Sequence, residues 1–273
     1  MSMKKVTVTA PAFNGVIAGS TATGRISIGR TIHQYLLAYA GATLAQLDAI
    51  RVVLNGEIVW SITELTKLDV LNQHDGRAAA AGTLVLDFER FGIRDRLLQE
   101  MTAIGTGHPE DERRIVNAFI EIDINAAAVA PVLSGRMIQS AARRSGTIKK
   151  MFEYTRTVGG AGVTEIDDLP LKTGSINKIT FGNQAVLGIT RVRAIKDGNV
   201  IFDRTDADNR QMQTDGVRVP QAGDVTVDPS EDGYGDEFLV VAGVNDLRWE
   251  LTTGAGGTLP ITVEFLAPIN NAG

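Results

Sequence analysis

The chain has 273 residues, 44% of them apolar and 22% charged, a balance that describes a globular protein and excludes a disordered one. Its formal charge of −5 carries no basic surplus, which argues against direct sequence-specific nucleic-acid binding. It has no cysteine, so disulfides and thiolate metal sites are excluded, and no apolar run reaches the roughly 18 residues of a membrane-spanning helix.

The start, MSMKKVTVTAPAFNG, lacks the apolar core of a signal peptide, so synthesis in the cytoplasm as a soluble chain is expected. Strands are predicted near 5–9, 22–28, 32–40, 49–54 and 57–62. Asn55-Gly56 separates the last two, and such a pair suits a type I′ hairpin turn, which needs positive φ at both central residues. Thr43 with Gln46 forms a capping box before LAQLDA, and Ser61 with Glu64 forms another before the Leu65/Leu68/Leu71 stripe. A strand at 83–89 precedes a predicted helix over Arg94–Ile104, with Leu97, Leu98, Met101 and Ile104 on a core-facing side, and then a strand at 115–124. The Ala-rich stretch after it holds Pro131, Arg136, Arg143 and Arg144, with Lys149 and Lys150 beyond. It reads as a solvated connector, with contact to an acidic partner or to phospholipid head groups as the alternative. Further strands are predicted near 150–157, 175–181, 189–195, 199–204, 216–219, 224–227, 238–244, 247–252 and 259–266.

The order of elements repeats. IRVVLNGEIVWSIT at 50–63 matches TRVRAIKDGNVIFD at 190–203, with Gly56 and Gly198 spaced 142 residues apart. A short polar helical stretch follows each hairpin, Glu64–Asn72 and Asp206–Gln213. The apolar strand that comes next in each half pairs 83–89 with 238–244, and the closing alternating strand pairs 115–124 with 259–269, with Ile120 and Val263 lying 143 residues apart. The expected organisation is therefore all-β: a first domain over 1–125, a connector over 126–147 and a second domain over 148–273, each a sandwich or barrel with a few short helices.

Catalytic signatures are missing. His33, His74 and His108 stand on separate elements, with no His-x-His pair of the kind that two-domain cupins use to hold a metal, and are expected at the surface or in turns. No Gly-x-Ser-x-Gly elbow occurs, and the clusters Gly159-Gly160-Ala161-Gly162 and Gly254-Ala255-Gly256-Gly257 lack the Lys-Ser/Thr of a phosphate loop. Two acidic groups, Asp203/Asp206/Asp208 and Asp228/Glu231/Asp232/Asp236/Glu237, are oxygen-rich enough to be candidate Ca²⁺ ligands, although neither has EF-hand spacing and solvated loops are the simpler reading. No cofactor is required. A tandem β-sandwich carbohydrate-binding module is the alternative function, but its only tryptophans, Trp60 and Trp249, lie inside strand patterns and read as core. A double-barrel enzyme is disfavoured by the missing ligand set.

Four segments carry a resemblance: AGSTATGRISIGRT (18–31), YAGATLAQLDAIRVVLNGEIVWSITELTKLDVLNQH (39–74), EIDINAAAVAPVLSG (121–135) and GVTEIDDLP (162–170). In their order and spacing the chain resembles the major capsid proteins of corticoviruses, tailless icosahedral bacteriophages with an internal membrane. The resemblance covers about half the chain and fades after about residue 210; the acidic loop DPSEDGYGDE (228–237) has no counterpart in it and is expected to be exposed. It implies the adenovirus-hexon lineage: a double jelly roll, two eight-stranded barrels in tandem, of which three copies form a pseudo-hexagonal capsomer. It also implies a virion location, whether from a phage or a prophage. Its implied partners are neighbouring capsomers, penton and minor capsid proteins, virion membrane proteins and the bilayer. Ca²⁺ between subunits is a further implication, attached to no named residue.

Overall fold

The computed structural model describes residues 4–170, 174–214 and 216–269, so the outermost residues of the two expected domains lie outside it. The first half contains β1 (Val6–Thr9), β2 (Thr21–Arg25), β3 (Arg30–Ala40), β4 (Leu47–Leu54), β5 (Glu57–Ile62), α1 (Leu65–His74), β6 (Thr83–Asp87), α2 (Arg96–Glu100), β7 (Ile104–Gly105), β8 (Ala118–Ile124) and β9 (Val132–Ala141). The second contains β10 (Thr147–Val158), β11 (Gly162–Ile166), β12 (Ser175–Phe181), α3 (Gln184–Leu187), β13 (Arg191–Lys196), β14 (Asn199–Thr205), α4 (Asp206–Gln213), β15 (Val225–Val227), β16 (Leu239–Val240), β17 (Leu247–Thr253) and β18 (Gly257–Pro268).

In the first half the strand order β1-β9-β3-β6, with β7 beside β3, makes one sheet, and β5-β4-β8-β2 makes the other. In the second, β10-β18-β12-β15, with β16 beside β12, stands against β14-β13-β17-β11. Each half is a jelly roll. Replacing β1 by β10, β2 by β11 and so on to β9 by β18 maps one roll onto the other strand by strand. The irregularities coincide as well. The hairpin ladders slip between Val52 and Val53 in one roll and between Ala194 and Ile195 in the other. The β3 and β12 ladders slip between Ile32 and Gln34 and between Ile176 and Lys178. Both hairpin turns have the positive φ that the sequence implies, at Asn55 (51°), Gly56 (84°), Asp197 (47°) and Gly198 (80°).

Period-two patterning builds the cores. β8 buries Ala118, Ile120, Ile122 and Ile124, and β17 buries Leu247, Trp249, Leu251 and Thr253, each alternating with half-exposed residues. The α1 stripe Leu65, Leu68 and Leu71 is buried as expected. β12 is buried at all seven residues, because its own core covers one face and the first roll covers much of the other.

Several expectations need correction. The stretch over 126–147 is not a connector: β9 lies inside the first sheet, antiparallel to both β1 and β3. Its Ser, Gly, Arg and Gln disguised it. Gly135 is there because a Cβ at that position would lie 2.1 Å from the Tyr35 hydroxyl. Nor are the charges of this region a solvated run. Arg143 donates to the carbonyls of Glu100, Met101 and Ala103, Lys150 meets Glu57 at 2.5 Å, and Lys149 lies over the Trp60 ring; Arg136, and Arg144 paired with Glu110, do stay exposed.

The pairing of the late strands also fails. The counterpart of β6 is β15, that of β7 is β16 and that of β8 is β17, while β18 answers to β9. Alternating strands look alike in sequence, and although β15 keeps the hairpin spacing from β6, loops of different length shift the register beyond those two strands. The predicted helix over Arg94–Ile104 shrinks to α2, capped by the Asp95 carboxylate, and Leu97 is 82% exposed instead of core-facing. Ser61 sits within β5 and forms no capping box; the α1 cap is Glu64. The box at Thr43 and Gln46 is present, but on a single 3₁₀ turn. No strand forms at 216–219, and β11 occupies a stretch with no predicted strand.

Candidate assembly site at the junction of the two jelly rolls

β5 ends the second sheet of the first roll, and its outer edge is covered by β10 of the second. The two run parallel, with Met151 opposite Trp60 and Phe152 opposite Ser61. The pairing merges sheets of both rolls into one of nine strands. Ile148, Met151 and Ile269, all from the second half of the chain, pack into the first core. The Trp60 indole N–H donates to the Lys149 carbonyl at 2.8 Å, and its ring packs against Phe88 with centroids 5.2 Å apart. At the end of β5, Thr63 donates through its backbone N–H to the Glu153 carboxylate at 2.6 Å, and Lys67 meets the same group at 2.8 Å.

Beside this seam lies a buried ionic network. The first roll contributes His74, Asp75 and Arg90; the second contributes Asn177, Lys178, Arg218, Asp228, Ser230 and Glu264. Lys178 Nζ lies 2.7 Å from Asp75 and 3.2 Å from Glu264. Arg218 Nε donates to Asp228 at 2.6 Å, and its other nitrogens reach Ser230 Oγ and the Phe91 carbonyl, each at 3.2 Å. Arg90 donates to Asn177 Oδ1 at 2.7 Å and to the Gly235 carbonyl; Asn177 in turn donates to Glu264 at 3.1 Å. Three cations thus face three carboxylates, which is the condition for keeping charges inside a protein. The titration directions follow. Burial pushes the Asp75 and Asp228 carboxyls up, but Lys178 and Arg218 outweigh it and hold both below the usual carboxylate range. Burial likewise pulls Lys178 and Arg218 down, and their carboxylate partners leave both raised.

Two of the three histidines contradict the expectation of surface positions. His33 and His74 are 2% exposed. His33 occupies the β3 bulge, where it bonds to Glu89 and, through Nε2, to Ser140 Oγ at 2.8 Å. Burial would raise the Glu89 carboxyl, yet bonds from His33, Lys5 and Gln99 bring it down to about 2. His74 bridges Asp75 and Gln213 across the junction, at 3.2 Å on each side.

The candidate cation ligands are dispersed. Asp203 is paired with Arg191 at 2.7 Å, Asp206 with Arg210 at 2.8 Å and Glu231 with Arg204 at 2.6 Å. Asp208 accepts from the Thr205 hydroxyl and Asp232 from the Tyr234 N–H. Asp236 and Glu237 are exposed. Only Asp228 belongs to a close ligand group, with His74 and Asp75, whose donor atoms lie within 4.8 Å of one another. Lys178 and Arg218 already neutralise that group, and a dication would have to displace them.

The sequence carries one clue to this network. Lys178 and Glu264 are the only charges in the strand stretches SINKITF and VEFLA, where a charge must be paired or must face out. Both tryptophans are core, as expected: Trp60 is fully buried and Trp249 nearly so, stacked edge-on against Phe181.

Comparison with known proteins decides the family. The model of the viral coat protein P2 N-terminal domain matches residues 7–141, and that of the P2 C-terminal domain matches 148–269. The chain belongs to the viral coat protein P2 family. It is 28% identical over 164 residues to the major capsid protein P2 of Pseudoalteromonas phage PM2; the match spans 58% of this chain and 58% of that protein's length. The crystal structure of the major capsid protein P2 from bacteriophage PM2 superposes with a TM-score of 0.90 at 23% identity, covering 99% of this chain and 100% of that one. The capsid protein of the PBCV-1 virus gives a TM-score of 0.65 at 8% identity, over 97% of this chain and 94% of that one. The STIV major capsid protein gives 0.65 at 13%, over 96% of each chain. The fold is therefore a double jelly roll, shared with capsid proteins of very different sequence.

Proposed function

We propose that this chain is the major capsid protein of a tailless icosahedral bacteriophage, or of a related prophage, built around an internal membrane. The observation that carries the reading is the fusion, in one P2-family chain, of two jelly rolls with the same strand order. A six-sided tile can be made from three such chains, because each supplies two similar sides and cyclic symmetry closes the ring. The functional unit is then a homotrimer of pseudo-hexagonal outline. Its partners are neighbouring capsomers, penton and minor capsid proteins, and the membrane proteins and bilayer beneath. The chain is made in the host cytoplasm and ends in the virion. The buried ionic network fits a structural role: it holds the two rolls at a fixed angle, and every member is engaged with another. Native mass at micromolar concentration is the test. Three times the 29.2 kDa chain mass supports the reading, and a monomer across salt conditions overturns it.

A further inference from the structure

The internal duplication singles out two strand edges that have no strand partner among the described residues, although their counterparts in the other roll are paired. In the first roll the free edge of β5 is sealed by β10. Its counterpart in the second roll is β14, which ends the order β11-β17-β13-β14, and no strand pairs with its outer edge among the described residues. The counterpart of β10 is β1, at the end of the order β1-β9-β3-β6, and its outer edge is likewise without a strand partner among the described residues. Unpaired edges carrying apolar side chains are a liability for a soluble protein unless something covers them. β14 carries Val200 and Ile201, 47% and 43% exposed, and β1 carries Val6, 44% exposed. At the sealed edge, Val59 of β5 takes the place of Ile201 and is fully buried. Beside β14 a cavity of about 610 Å³ opens among Ile201, Phe202, Val227, Leu239, Val240 and Trp249. In the first roll, Ile148, Met151 and Ile269 fill the first core from the β10 side.

We infer that β14 of one copy pairs in parallel with β1 of the next, repeating between chains the β5–β10 seam found within the chain, so that six rolls close into a ring of three chains. The register follows from the ladders. Val52 pairs with Trp60 as Ala194 pairs with Phe202, so Phe202 replaces Trp60 and Asp203 replaces Ser61. Met137 lies between Tyr35 and Val8 as Val263 lies between Ile179 and Phe152, so Val8 replaces Phe152 and Thr7 replaces Met151. Phe202 therefore faces Thr7 of the next copy, and Asp203 faces Val8. A second copy is the occupant because the chain itself contains the matching half of the seam. The inference rests on the trimer reading and specifies which edges make it.

The absence of cysteine makes the register directly testable. The double variant Ser61→Cys with Phe152→Cys calibrates the seam within one chain and should close an intrachain bridge under mild oxidation. The equivalent variant Val8→Cys with Asp203→Cys should give covalent dimers and trimers on a non-reducing gel, and nothing larger. A trimer by native mass with no interchain bridge, while the calibration variant closes, overturns this seam and leaves the capsomer reading standing. Native monomers overturn both, and a ladder beyond three chains overturns ring closure. Ile201→Lys decides the matter independently of disulfide geometry. It should weaken trimer association roughly 30-fold or more, the effect of losing one central interface contact. Val163→Lys, a similarly exposed change on β11, should leave association unaltered. Undiminished trimers of Ile201→Lys overturn the proposal.

Discussion

The two jelly rolls share every strand and differ in which margin is covered. In the first, the β5 edge is covered by β10, and Trp60 is wholly buried. In the second, no strand pairs with the outer edge of β14 among the described residues, and its Phe202 is only partly buried against the core and lines an open cavity. The same topology thus gives one roll covered at its β5 edge and one open at the equivalent β14 edge. An edge residue becomes a core residue only when another strand arrives. Phe202 and Trp60 occupy equivalent places, yet tertiary context assigns them different energetic weight. The junction is where the difference originates, since β10 pairs with β5 there.

The largest expected effect breaks the junction itself. Lys178→Ala leaves Asp75 and Glu264 buried with one cation fewer, and removing one member of a buried pair costs about 3–5 kcal/mol. Chemical denaturation of the isolated chain should show that loss. A change below about 1 kcal/mol would mean that the network is well hydrated and does not hold the rolls.

A matched pair of truncations sharpens the comparison. Trp60→Ala should cost about 3–5 kcal/mol, as large aromatic truncations in cores do. Phe202→Ala, at the equivalent but half-exposed place, should cost less than about 2 kcal/mol in the monomer. The same variant should cost more in the assembled state, so the melting temperature measured below and above the association concentration separates the two contributions. Equal costs for both truncations in the monomer would remove the distinction between sealed and open rolls.

Acid should act on the junction with a definite sign. Asp75 and Asp228 are held below the ordinary carboxylate range in the folded chain. Their stabilisation is present above the unfolded value near 4 and is lost as pH falls through the lower folded values. Asp87 and Asp224 oppose this, because burial raises both, and they favour the folded state as they protonate. Melting temperature should therefore be flat from about pH 5 to 8 and fall below about pH 4, with a shallower fall in Asp228→Asn. An unchanged acid limb in that variant would place the acid sensitivity elsewhere.

The smallest effect concerns the acidic loop. Asp232 is engaged with the Tyr234 N–H, and Asp236 is exposed. Asp232→Asn with Asp236→Asn should change stability by less than about 0.5 kcal/mol, as surface substitutions do. Chelator should leave the melting temperature of the isolated chain unchanged. A chelator-induced shift abolished by the double variant would instead show that these loops gather a divalent cation in the assembly.

Local chemistry was enough to read part of this molecule. Asn55-Gly56 and Asp197-Gly198 demand positive φ, so both hairpins and their equivalence could be placed without coordinates. The Leu65/Leu68/Leu71 stripe announced α1, and the run of apolar strands announced two β cores. What the sequence could not determine was which alternating strand pairs with which. Short apolar strands resemble one another in sequence, and the loops between them differ in length, so matching by order pairs the late strands wrongly and leaves β9 as a connector. Nor could composition distinguish a buried charge from a solvated one. Lys150 beside Glu57, and Lys178 between Asp75 and Glu264, are stable inside the protein only because residues distant in sequence meet them there. Propensity and turn chemistry act over a few residues; strand neighbours, buried ion pairs and the open edge of β14 are set by contacts between halves of the chain, and those exist only after it has folded.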